Sequence, residues 1–171
     1  MIRFAEQIKY SIFKVLENTA TFIRTASMMD AGRNFNLTQS IMENTDLHFG
    51  ITFKVEIDFV CIVATGNYSL LKANHLFSHS IEYALLFKRA KILIDVTRIT
   101  GNIPFFDRFE YSAFLAKYKR EHALTKVGKI AVVGHVPIVD KDKFGETVAV
   151  NRGANVRVFT DMDNASAWLN K

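Results

Sequence analysis

Three apolar blocks limit what this chain can become. Phe59–Ala64 (FVCIVA), Ile92–Ile94 (ILI) and Ile130–Val133 (IAVV) are continuous, rich in β-branched residues and free of polar alternation. A strand with one wet face alternates apolar and polar side chains. Runs like these suit strands covered on both faces, the usual state inside a parallel sheet. Between the blocks lie stretches long enough for crossover helices, so an α/β fold is expected.

Taken in order, His48–Glu56 (HFGITFKVE) does alternate, and reads as a half-buried strand joined through Ile57 and Asp58 to the first block as an antiparallel hairpin. Thr65–Ser69 turns the chain. A helix carrying Leu71, His75, Ile81 and Leu85 follows, with Ser69 as its cap. After Ile92–Ile94, Asp95 breaks the apolar run and Gly101-Asn102 signals a turn. Pro104 and Asp107 then suit the first turn of a Phe-rich helix over about 105–122, and Lys117–Arg120 suit its last turn. Past Ile130–Gly134 we expect a helix over Asp140–Asn151, a strand at Asn155–Phe159, and a last helix at Asn164–Leu169 capped by Asp163. The expected order is ββαβαβαβα in a mixed, mostly parallel sheet with crossover helices.

Residues 1–45 have another texture. At about 100° per residue, Phe4, Ile8, Ile12, Val15, Leu16 and Ile23 share one arc, with Arg3, Glu6, Lys9, Lys14 and Glu17 outside it. This predicts an amphipathic helix that packs on its own domain or on a second copy. The polar face mixes charge signs, so a membrane is not its expected partner. Residues 28–45 read as a linker, which gives two regions: 1–45, helix and linker, and 46–171, the α/β domain.

Composition narrows the function classes. One cysteine, Cys61, excludes an internal disulfide and a cysteine-built metal site, and points to a reducing, cytoplasmic setting. The net charge is +5. From Ala84 to Lys129 there are ten Lys or Arg against four Asp or Glu, a net of +6. No aromatic or glycine pattern of a nucleic-acid module accompanies that excess, so the charges read as solvated helix faces.

No glycine-rich phosphate loop, G-x-S-x-G elbow or H-E-x-x-H helix is present, and no catalytic residue, metal or cofactor is expected. His75, His79 and Glu82 have metal-ligand spacing, but such spacing also arises on a solvated helix face, which is the reading we favour. In open α/β sheets ligands bind where strands end and helices begin. The polar stretch after Ile94 is therefore the expected site. It brings together Asp95, Thr97, Arg98, Thr100, Asn102 and Arg108 near a helix start, with His135 just past the next inner strand. An enzyme built on Asp95 and His135 would need those side chains within hydrogen-bond reach, directly or through one water.

The segments ILIDVTRITG, KIAVVG and NVRVF…ASAWL together resemble the SpoIIAA-like or STAS-like domains, known from anti-sigma factor antagonists, sulfate-transporter tails and small bacterial STAS-like or CRAL-TRIO-like proteins. The resemblance covers about residues 46–171. It implies a non-enzymatic domain that binds a protein partner or a second copy, a homodimer included, with a regulatory role. In the antagonists a phosphorylated serine opens the helix after the third strand of this pattern. Here Ile103, Pro104 and Phe105 hold that place, so no such switch is expected. The alternative is a small anionic or apolar ligand, a lipid included, held between the Phe-rich helix and the sheet; Phe105, Phe106, Phe109 and Tyr111 suggest it.

Overall fold

The computed structural model describes residues 39–42, 48–121 and 127–171, with backbone alone at 39–42, 116 and 119–121. The predicted N-terminal helix lies outside these residues. Six strands form one sheet in sequential order: β1 (Gln39–Met42), β2 (Gly50–Val55), β3 (Phe59–Asn67), β4 (Lys91–Thr100), β5 (Lys129–Val133) and β6 (Val156–Phe159). Four helices accompany them: α1 (Leu70–Leu86), α2 (Phe105–Glu121), α3 (Phe144–Asn151) and α4 (Met162–Asn170). The β1–β2 and β2–β3 pairs are antiparallel, and the three pairs from β3 to β6 are parallel. The expected mixed, mostly parallel sheet is thus observed, with one strand more. β1 forms inside the stretch read as a linker; its four residues, QSIM, are too short to show a period.

Sequential strand order fixes where the helices go. Each parallel step advances one place in the same direction, and right-handed crossovers then put α1, α2 and α3 on the same face. That face buries Ile51, Phe53, Val60, Ile62, Ile92 and Ile94. Phe53 stacks on Tyr83 of α1 with ring centroids 4.9 Å apart. α4 follows the last strand, crosses nothing, and covers the other face. There Ala165 and Leu169 pack with Leu93, Ala131 and Val133 in a fully buried cluster. Both faces of β4 over Ile92–Ile94 and of β5 are therefore covered, which is why those runs do not alternate.

The helix ends follow from local chemistry. Ser69 caps α1 by accepting from the Lys72 N–H at 3.3 Å, as expected. α4 is capped by Asp161 rather than Asp163: its Oδ1 accepts from the Asn164 N–H at 2.8 Å, and Asp163 falls inside the first turn. α3 begins at Phe144, later than expected, because Asp140 ties the preceding turn by accepting from the N–H groups of Asp142 and Phe144. At the β6 edge of the sheet, Glu146 of α3 accepts the Val158 N–H at 2.7 Å. That bond occupies an edge amide that would otherwise be open to another strand.

Candidate functional site

The largest departure from expectation is in β4. The stretch from Asp95 was expected to be a loop, but the strand runs on to Thr100 and stays paired with β3 as far as Asn67↔Thr100. The pairing with β5 ends at Asp95↔Val133. The last half of β4 thus stands beyond β5 as a two-stranded extension with β3. Its register slips between Val63↔Asp95 and Thr65↔Arg98, so Val96 and Thr97 together oppose Ala64. This is a β-bulge. Asp95 secures it: Oδ1 accepts both the Thr97 N–H at 2.9 Å and the Thr97 hydroxyl at 2.6 Å. Asp95 therefore does structural work, holding an amide released from the ladder.

The bulge sorts the predicted residues. Val96 and Ile99 are both buried, while Thr97, Arg98 and Thr100 are exposed. The Thr100 hydroxyl donates to Asn67 Oδ1, and the Thr100 carbonyl accepts the Tyr68 N–H at 2.8 Å. Gly101 turns the chain out of the strand with a φ of +104°, a value that favours glycine. Asn102 is exposed in that turn. Arg108 reaches across from α2 and donates from Nη2 to the Pro137 carbonyl at 2.8 Å, tying α2 to the segment after β5. Next to it, Asp107 accepts from the Tyr68 hydroxyl at 3.1 Å. Desolvation, then the Asp107 hydrogen bond and charge, push the Tyr68 phenol up, so it remains a neutral donor.

His135 is exposed after β5, and among the described residues no hydrogen bond joins it to Asp95. A direct Asp95–His135 hydrogen bond is therefore not formed. The sequence candidates divide accordingly. Thr97, Arg98, Thr100 and Asn102 lie along the β4 extension and its turn, Arg108 on the neighbouring helix, and His135 in the exposed segment after β5.

Two features around this rim were read differently from the sequence. Phe105, Phe106 and Phe109, expected to line a pocket, are 63%, 76% and 47% exposed at the start of α2. Phe105 packs on Phe106 and on Phe144 of α3, with centroids 5.9 and 5.2 Å apart, and the Arg152 guanidinium lies 5.0 Å from the Phe109 centroid. Val150 is also exposed, on α3. A cavity does exist between α2 and the sheet; of the four residues expected there Tyr111 lines it and the three phenylalanines do not. It holds about 140 Å³ and is lined by Val96, Ile99, Tyr111, Leu115, Val139 and Ala149, with others of their kind. Ile99 belongs to this set only because of the bulge, and no simple period would have revealed it.

The histidines also differ from expectation. His79 is 6% exposed rather than solvated, and its Nδ1 lies 3.0 Å from Glu82 Oε2. His48, at the entry to β2, stacks on His75 with centroids 4.7 Å apart and lies 6.0 Å from His79. Burial, then the neighbouring His75, His79 and Lys72, lower the His48 pKa to about 4. Among the described residues, no group of three His, Cys, Asp or Glu is arranged to hold a metal ion. Burial raises the Cys61 thiol to about 11, with Asp95 adding to the effect, which fits inert packing. No described helix is long and apolar enough to cross a membrane.

The fold and rim define a class: a mixed α/β domain whose polar strand extension and adjoining helix start face solvent. No family model matches the chain, and no curated protein matches it. Among solved structures it is similar to an anti-sigma factor antagonist from Mycobacterium paratuberculosis, at 11% identity and a TM-score of 0.48, covering 75% of this chain and all of that one. It is also similar to an uncharacterized DUF3478-family protein with a SpoIIAA-like fold from Shewanella loihica, at 17% identity and a TM-score of 0.44, covering 81% of this chain and 99% of that one. The strand order and pairing described above, rather than these distant likenesses, define the fold.

Proposed function

We propose that this chain is a STAS-like binding module that docks a protein partner on the start of α2 and the adjoining end of β4, acting by contact rather than by chemistry. The observation that carries this reading is the trio Phe105, Phe106 and Phe109, held in solvent on a regular helix, with Phe105 against Phe144. Contiguous exposed apolar surface with a polar rim marks interaction sites, and buried aromatic anchors dominate interface energetics. Thr97, Arg98, Thr100 and Asn102 are exposed along the adjoining end of β4 and its turn, and Arg152 on Phe109 supplies a charged edge. In this reading the module works in the cytoplasm without a cofactor, has no phosphoserine at the start of α2, and uses residues 2–24 for assembly.

The test is site-specific photo-crosslinking in the cells that make the protein. A benzophenone amino acid is placed at Phe106 and, as a control, at exposed Asn170 on the other face of the sheet. A discrete adduct from position 106 that the control lacks is expected, and its mass separates a second copy of the chain from another protein. No adduct at 106, or the same adducts from both positions, would end the proposal.

A further inference from the structure

The cavity under α2 goes beyond the docking surface, which lies outside it. We infer that it is a binding site for a small carboxylate with an apolar body about the size of a benzene ring. The size follows from the volume: about 140 Å³ is close to the apolar cavity that accepts benzene in an engineered protein. The body of the ligand follows from the walls. Val96, Ile99, Leu115, Val139 and Ala149 offer only apolar contact. Three hydroxyls line it as well: Ser112 donates to the Arg108 carbonyl at 2.8 Å and lies 3.3 Å from the Gly145 carbonyl, Tyr68 donates to Asp107, and Tyr111 adds a phenol to the wall.

The head follows from the charges that line the same space: Arg108, Lys143, Asp140 and Glu146. The two acids are committed to backbone, Asp140 to the amides of Asp142 and Phe144, and Glu146 to the amide of Val158. The two cations are not matched by them. Among the described residues no carboxylate pairs with Arg108 or Lys143, and one Nη2 bond to the Pro137 carbonyl leaves most of the Arg108 fork available. Lys143 is exposed and Arg108 half-buried, which places the cationic end at the mouth and the apolar end inside. Lys143 is also held at a φ of +54°, unusual for a residue with a side chain, where the chain enters α3 against this mouth. A guanidinium fork suits a carboxylate in particular. A neutral apolar molecule would use the walls and leave both cations idle, and a bare inorganic anion would leave the walls unfilled.

The experiment is an amide NMR titration of the full chain with four probes: benzoate, benzyl alcohol, benzylamine and acetate. Benzoate should shift the amides of Ile99, Tyr111 and Ala149 saturably. Benzyl alcohol should bind at least about tenfold more weakly, the loss that one charge-assisted hydrogen bond implies. Benzylamine and acetate should not saturate. In the R108Q/K143Q double variant, benzoate should weaken by about tenfold while benzyl alcohol is unchanged. An A149L variant, which fills the cavity, should abolish both. Should A149L fail to fold by circular dichroism, the double variant still decides. Failure of benzoate to saturate, shifts mapping elsewhere, or equal binding of benzoate and benzyl alcohol would overturn the inference. None of these outcomes bears on the Phe106 surface, which the probes do not need.

Discussion

α1 and α2 are both 17 residues long, both connect neighbouring parallel strands and both lie on the same face of the sheet. They use their side chains in opposite ways. α1 turns Leu76, Phe77, Ile81 and Tyr83 inward and buries polar groups among them, including His79, Ser80 and the stem of Lys72. α2 buries Ser112 and Leu115 but leaves three phenylalanines in solvent over its first turns. Helices normally place their large apolar residues on the core stripe. α1 follows that rule even at the cost of burying polar atoms, so its role is packing. α2 departs from it at the end nearest the polar rim, where the departure can be put to use.

The contrast can be broken most sharply by removing one ring from each helix. Phe77→Ala in α1 should cost about 3–5 kcal/mol, the usual cost of deleting a buried aromatic. Phe106→Ala in α2 should stay within about 0.5 kcal/mol. Urea unfolding of both variants checks this, and equal losses would dissolve the distinction.

The next effect is a pH dependence lodged on the α1 side. The folded His48 pKa, about 4, lies below the ordinary 6.5 of the unfolded chain. Its contribution to stability is therefore complete above pH 6.5 and is lost as pH falls toward 4, because the unfolded chain takes up the proton first. The groups facing it among the described residues are His75, His79 and Lys72, with Glu82 reached through His79. After allowance for solvent screening the change is on the order of 1–2 kcal/mol. Denaturation midpoints at pH 7 and pH 5 should show it, and His48→Gln should flatten the difference. A smaller effect, opposite in sign, should come from Tyr83. Among the described residues its buried hydroxyl has no hydrogen-bond partner. Tyr83→Phe should therefore raise stability by up to about 1 kcal/mol, since it removes an unsatisfied polar atom and keeps the ring on Phe53.

The layer structure was legible because burial leaves a direct trace in sequence: ILI and IAVV are covered on both sides, FVCIVA is buried on one and half-buried on the other, and all three look it. The rim was legible as a location but not as a shape. In β4 the positions buried on the α1–α3 face fall at 92, 94, 96 and then 99, so the alternation breaks where the bulge lies and the stretch reads as loop. The exposed phenylalanines were misplaced for the converse reason. Composition says that Phe belongs inside, and nothing local in PFFDRF says otherwise. β1 and the histidine cluster depend on contacts between distant segments, Gln39 with Phe53 and His48 with His75, which no window along the chain can see.

The doubled step at Val96 and Thr97 also bears on how this chain can vary. A pleated strand counts in twos, so gaining or losing one residue turns everything downstream inside out. Here an odd count is already absorbed, held by the carboxylate of Asp95. A deletion at this point would restore regular pairing without moving Ile92 or Ile99 from their sides. The same deletion three residues earlier would use up the doubled step and turn Asp95 inward and Val96 outward, or keep it and turn Arg98 inward and Ile99 outward. Tolerance to length change in this strand should therefore be concentrated at one peptide unit.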